Sequence, residues 1–365
     1  MLALAALIAA ANAAATTRRP LPFEARSPPR RGPFFNGWCL RAMDETGCSA
    51  TAIVGCFSRG ARSEHLVAVA ARARTPDGGF ETAAAQRVYG GDECRLDGAP
   101  RGAGPSLRFE APCGVLAADG GDLRATFALP GGDGRDVAVD LAAAAPSPWA
   151  AGGGAEGWLG RRLTGWALPC RYAVRCVDSP AVAAATAGAS RWSSSSALLH
   201  AEANHGRSFP KQWVWCQGAA RGRSVLAVGG TFRVGPLPLA DTWLVRYASP
   251  AVGEWAFRTT DLRTTATSDL APPAAGPATA RLTLERRTRG ERRILDLVAA
   301  ADEFLPDALF VPTPGGFSDD PGTREALAAT VAVTASVVDG GRRRVVDEAT
   351  IEGACLEFGG RYVAR

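Results

Sequence analysis

The stretch Asp122–Leu141, DLRATFALPGGDGRDVAVDL, holds two short runs of alternating apolar and polar residues, joined by a Pro-Gly-Gly-Asp-Gly segment. Period-two alternation sends successive side chains to opposite faces of an extended chain, and the segment between the runs has turn chemistry. The pattern recurs upstream in Leu66–Arg74 (LVAVAARAR) and downstream in Arg171–Val177, Ser224–Val234 and Thr242–Ala248. It continues through Thr279–Arg287, Arg292–Ala299 and Ala329–Val338. Helical periodicity is weak beyond the first residues. The chain therefore reads as all-β and antiparallel, with sheets closed into barrels or paired as sandwiches, since closure protects sheet edges. Two stretches interrupt the alternation and read as loops: Ala142–Gly157, rich in Ala, Pro and Gly, and Asp178–Ser196, ending in four serines.

A length of 365 residues suffices for two domains or one large β domain. The net charge of +5 comes from arginines scattered singly or in short groups such as Arg342–Arg344, with no basic stripe interleaved with aromatics. That argues against a nucleic-acid binder. The nine cysteines show no C-x-x-C pair and no Cys/His spacing suited to zinc, so no metal is expected, and scattered buried thiols are favoured over a disulfide framework. G-x-S-x-G, H-E-x-x-H, a Walker loop and a strand-associated G-x-G-x-x-G are all missing, which lowers the hydrolase, metalloprotease, NTPase and dinucleotide readings. Residues 1–20 begin with an apolar run too short to span a bilayer and carry Ala11-Asn12-Ala13, a small-residue cleavage pattern. They are expected to be a cleavable targeting leader.

The chemistry-bearing residues concentrate in Leu199–Gln217, LHAEANHGRSFPKQWVWCQ. This span holds the only lysine, Lys211, two of the three histidines, His200 and His205, and one of the three asparagines, Asn204. If Trp213–Gln217 is a strand, then Trp213, Trp215 and Gln217 share one face and Val214 and Cys216 the other. Two indoles and an amide suit the inside of a ligand-holding barrel, and equally suit core filling with the amide bonded to backbone. Asn204-His205-Gly206 has turn character, so Glu202, His205, Arg207 and Lys211 are expected around a loop leading to the tryptophan strand. A carboxyl beside an imidazole at a barrel mouth is a workable acid/base pair; surface charges on a loop are the alternative.

Together these pieces resemble the tocopherol cyclase family and its tocopherol-cyclase-like relatives. Pro33-Phe34-Phe35-Asn36-Gly37-Trp38-Cys39-Leu40 stands where that family has a P-x-F-x-G-W-Y-F-like opening. Ala201–Pro210 with Trp213, Trp215 and Gln217 is similar to A-E-K-N-W-G-x-S-F-P-x-x-W-x-W-x-Q, and Gly353–Gly360 to G-x-x-L-E-F-G-G. The resemblance runs from about Pro33 to Gly360. Cys39 and Leu40 depart from an aromatic pair, Ala203 from a basic residue and His205 from a Trp.

The resemblance implies two consecutive lipocalin-like antiparallel β-barrels, expected over 30–190 and 191–365. It also implies closure of a prenylated (phytyl) benzoquinol to a chromanol in vitamin E biosynthesis, without a cofactor. The setting it implies is the plastid, including plastoglobules, with the chain peripheral to lipid particles or membrane; the leader also fits a secretory or periplasmic address. In that chemistry a buried acid protonates the trisubstituted alkene, aromatic faces stabilise the tertiary cation, and the phenol oxygen attacks as a base takes its proton. Glu202 is the expected acid and His205 the expected proton acceptor. Trp38, Trp213 and Trp215 are the expected cation-facing walls, Asn204 and Gln217 are expected to orient ring oxygens, and Asn36 and Lys211 to complete the substrate site. A non-catalytic prenylquinone carrier and an isoprenoid hydratase are the competing functions.

Overall fold

The computed structural model describes residues 25–29, 31–98, 107–119, 122–149, 169–220, 222–230, 233–234, 237–238, 242–259, 261, 263–273, 276–288 and 290–363. The expected leader and residues 150–157 of the expected 142–157 loop lie outside the described residues.

The described chain is all-β. One antiparallel sheet begins with β1 (Phe34–Met43), β2 (Ser49–Arg59), β3 (Arg62–Arg74), β4 (Phe80–Gly90), β5 (Arg95–Gly98) and β6 (Leu107–Ala111). It is completed by β7 (Gly114–Asp119), β8 (Asp122–Pro130), β9 (Asp136–Ala143), β10 (Cys170–Ala187) and β11 (Ser190–Gly206). After β12 (Gln212–Ala220) and β13 (Arg223–Gly230) comes a two-stranded hairpin of β14 (Arg233–Val234) and β15 (Leu237–Pro238). The second large sheet joins β12 and β13 to β16 (Thr242–Ser249), β17 (Gly253–Arg258), β18 (Thr264–Ala271), β19 (Ala278–Thr288) and β20 (Glu291–Ala301). Its remaining strands are β21 (Leu309–Thr313), β22 (Gly316–Asp339) and β23 (Arg342–Gly360). The alternating runs named above lie on these strands, Ser224–Val234 as far as Gly230 before 231–232, which fall outside the described residues, and the opening stretch forms the β8–β9 hairpin.

Both large sheets follow one plan. The opening strand pairs with the closing strand at the centre, β1 with β11 and β12 with β23, and hairpins run outward on either side. Each sheet then curls over itself. In the first, Arg135 Nη1 beside β9 donates to the Thr82 carbonyl of β4 at 3.2 Å; in the second, Arg286 Nη1 of β19 donates to the Ala256 carbonyl of β17 at 2.8 Å. The inward residues of the first include Leu40, Val69, Phe109, Phe127 and Val139, and those of the second include Val214, Trp243, Tyr247, Leu295 and Phe358. This shared plan has no echo in residue identity.

Two expectations are corrected. The division at 190/191 falls at the start of β11, which pairs with β1 and β10, so the first sheet continues to Gly206. Asp178–Ser196 is not a loop but the turn end of the long β10–β11 hairpin. Its alternation is carried by Ala181, Ala183, Ala185 and Ala187, all buried; small side chains let the sheet layers approach closely but give a weak hydropathy signal.

A third apolar cluster draws on both sheets: Ala68, Ala70, Tyr172 and Val174 from the first, and Trp213, Trp215, Leu226, Val228 and Leu244 from the second. It is the seam between the barrels. Arg41, fully buried on β1, spans this seam. Its Nη1 donates to Gln217 Oε1 at 2.8 Å and its Nη2 to the Gly353 carbonyl at 2.9 Å. Gly353 occupies a bulge where β23 gains a residue relative to β22; its φ of 67° suits glycine, and a Cβ there would meet the Gly47 backbone of the first barrel at 3.2 Å.

Candidate functional site between the barrels

Strand register decides what faces the seam. Cys39 on β1 sits opposite Glu202 on β11, Trp215 on β12 opposite Glu357 on β23, and Glu357 opposite Glu325 on β22. Glu202 and Glu357 each lie on the closing strand of their sheet and face the seam. They line a single cavity together with Phe35, Cys39, Tyr172, Asn204, Trp213, Trp215, Thr323 and Glu325. Its remaining wall is apolar, from Ile53, Leu66, Val228, Leu309, Val311 and Phe317 among others. The tryptophan face therefore points out of its own barrel, where the sequence reading placed it inside; Val214 and Cys216 take the interior.

On the first-barrel wall, Glu202 is 6% exposed and its Oε2 has three hydrogen-bond partners. The Tyr172 hydroxyl donates to it in a short bond, Trp215 Nε1 donates at 3.0 Å, and His200 Nε2 lies at 2.7 Å. Burial, then the Glu202 carboxyl, hold the Tyr172 hydroxyl well above its ordinary pKa, so it remains a donor; an indole N–H can only donate. Oε2 thus accepts from both the phenol and the indole. With Nε2 carrying the hydrogen, His200 presents a bare Nδ1, which has no protein partner. Burial, then Glu202, likewise pushes the Cys39 thiol up.

The second-barrel wall is different in kind. Glu357 accepts a short bond from Trp213 Nε1, and Glu325 Oε1 accepts one from the Cys355 thiol at 3.0 Å, leaving its buried Oε2 without a protein partner. Burial, then repulsion from Glu325, raises Glu357 to about 8; burial raises Glu325 as well. Two carboxyls on adjacent strands in an apolar wall retain a proton at neutral pH.

A pH dependence of stability follows. Glu357 binds its proton more tightly folded than unfolded, where its value is near 4.5, so its contribution is complete below 4.5 and is lost as pH rises through about 8. Chemical denaturation at pH 5 and pH 9 is expected to differ by an amount on the order of a few kcal/mol, shrinking in Glu357→Gln. An unchanged difference in that variant would remove Glu357 as its source.

The expected site residues divide into two groups. Glu202, Asn204, Trp213 and Trp215 meet in the cavity, and Trp38 reaches its edge from the first barrel's core. The others lie elsewhere. His205 is an odd number of residues from Glu202 on the same strand, hence on the opposite face, against Phe34; burial, then Arg26 and Arg171, lower it to about 4. Asn36 is held in both directions by the Arg26 backbone, at 2.9 Å each way. Gln217 is bonded to Arg41 and the Val177 carbonyl, outside the cavity lining, and Lys211 is exposed in the β11–β12 connection. The imidazole beside Glu202 is that of His200, a residue the sequence reading passed over although period-two parity over 200–204 points to it. Glu325 and Tyr172 carried no comparable signal, and Glu357 stood unmarked inside the closing L-E-F-G-G segment.

No family model matches the chain, and no curated protein matches its sequence. Solved structures do match. The chain shares its fold with CghA. The TM-score is 0.52 at 13% identity, covering 94% of this chain and 95% of that one. More distant are a putative AttH from Nitrosomonas europaea (TM-score 0.48, 10% identity, 95% and 100% covered) and kievitone hydratase from Nectria haematococca (TM-score 0.46, 10% identity, 95% of each covered).

Proposed function

We propose that the chain is a cofactor-independent cyclase that closes the chromanol ring of a prenylated hydroquinone, in the manner of a tocopherol cyclase. The observation that carries this reading is a cavity with buried carboxyls on both walls, indoles between them and a lining that is otherwise largely apolar. The reaction needs each part. A carboxylic acid gives its proton to the tail alkene, the indole faces of Trp213 and Trp215 stabilise the tertiary cation, and an acceptor takes the phenol proton as its oxygen bonds to that carbon. Atoms balance with no co-reactant, and a largely apolar lining disfavours water beside the cation. Leu66, Val228, Leu309, Val311 and Phe317 offer a channel for the isoprenoid tail. A substrate this apolar implies peripheral docking on a lipid surface such as a plastid lipid particle.

The carrier alternative needs no acid within reach of its ligand, and Glu202, Glu325 and Glu357 all face the cavity. The test is to incubate the full chain with reduced methyl- and dimethyl-phytylbenzoquinol in detergent and separate the products. Chromanol is expected. Tight binding without product would move the assignment to a carrier, and a tertiary alcohol would move it to a hydratase.

A further inference from the structure

We propose that the proton enters the reaction from the Glu325–Glu357 pair on the second barrel and leaves through Glu202 on the first, so that acid and base sit on opposite sides of the seam. This rests on the cyclase reading and reverses the role that motif position suggests for Glu202. The geometry behind it is the contrast between the two walls. Glu202 Oε2 already receives the Tyr172 hydroxyl and the Trp215 N–H, with His200 Nε2 at 2.7 Å, so this carboxyl is arranged to accept hydrogen. Glu357 receives one N–H, from Trp213, and stands beside a second buried carboxyl whose Oε2 has no protein partner. Two adjacent carboxyls in such a wall share a proton.

The step balances. The alkene π pair takes the proton from Glu357, forming a C–H bond and a tertiary cation and leaving a carboxylate. A phenol oxygen lone pair then forms the C–O bond. The phenol proton passes to Glu202, directly or through Tyr172, whose hydroxyl gives its own proton to Glu202 as it accepts the phenol's. Returning that proton across the cavity resets the site. Its two ends are close enough for Glu202 to raise the pKa of Glu357.

The groups facing the acid pair are Trp213 and Cys355 on its own sheet, and Arg41, Cys39, Tyr172 and Glu202 from the first barrel. Arg41 is the cation among them, and it favours the charged form of Glu325.

The experiment is turnover in D2O, followed by mass spectrometry of product and recovered quinol, with quinol binding read from tryptophan fluorescence. Wild type is expected to yield chromanol with one tail deuterium. Glu357→Gln replaces a neutral acid with a neutral amide, so it should keep quinol binding and lose both chromanol and deuterium by at least 100-fold. Glu202→Gln should lose chromanol yet still put deuterium into the tail, as an alcohol or rearranged alkene. Glu325→Gln should move the alkaline limb of the rate profile to lower pH, because a like charge beside Glu357 is gone. Chromanol from Glu357→Gln, or deuterium lost only in Glu202→Gln, would overturn the assignment while leaving the cyclase intact. A wild type giving neither chromanol nor deuterium would overturn the cyclase reading, and this assignment with it.

Discussion

Arg41→Met is expected to lower the unfolding free energy by about 2–5 kcal/mol and to move the alkaline limb of turnover to higher pH. The first effect comes from what the guanidinium leaves behind. Gln217 Oε1 and the Gly353 carbonyl, both within the seam, lose their donor, and each buried acceptor without a partner costs about 1–3 kcal/mol. Relief from burying a cation opposes this, but methionine cannot reach either acceptor, so the loss is expected to win. The second effect is electrostatic. Arg41 favours the charged form of Glu325, and Glu325 and Glu357 titrate as a unit, so removing the cation makes the pair hold its proton to higher pH. Arg41→Lys should retain much of the charge effect and lose much of the hydrogen bonding. Urea melts and rate profiles of the two variants separate the two effects. Equal stability in wild type and Arg41→Met would show that the seam does not depend on this residue.

How much of this was legible in the sequence depends on which physical signal each residue carries. Alternation located the strands, because one face of each buries apolar side chains and period two follows directly. It could not say which face of Trp213–Gln217 points into the barrel, since both faces are buried: Val214 and Cys216 inside, Trp213 and Trp215 at the seam. The all-β class was therefore readable while the location of the cavity was not. Parity also bears on the histidines. Read as a loop, residues 202–205 bring Glu202 and His205 together; as strand β11, they set them on opposite faces and bring His200 to Glu202. The acid pair was hidden for another reason. Glu325 and Glu357 meet only because β22 and β23 are adjacent in register, and no local pattern encodes a contact between distant strands. The hairpin through Asp178–Ser196 was missed because alanine and serine alternate too weakly in hydropathy to mark a buried face.

Gly359→Ala is expected to reduce turnover by about 100-fold, far beyond what the loss of a glycine implies. The backbone there needs no left-handed φ, so strain is not the cause. The new Cβ would lie 2.1 Å from the Trp213 ring, and the indole must move by more than an ångström to relieve that contact. Trp213 has little room to do so. Its ring is packed edge-on against Phe209 at 5.2 Å, and its N–H is bonded to Glu357. Displacement therefore breaks the one hydrogen bond that orients the acid and tilts a wall meant to face the cation. Overpacking of this kind costs about 1–3 kcal/mol in stability. Gly340→Ala supplies the control: its φ of 55° is strained for alanine, but nothing lies within 4 Å, so it should lose stability with turnover intact. The double variant Gly359→Ala with Trp213→Phe separates the causes further. Phenylalanine relieves the crowding and so restores much of the stability, but it has no N–H for Glu357, so turnover should stay low. Full recovery of turnover in the double variant would mean that the clash alone mattered and that the Trp213–Glu357 bond has no part in placing the acid.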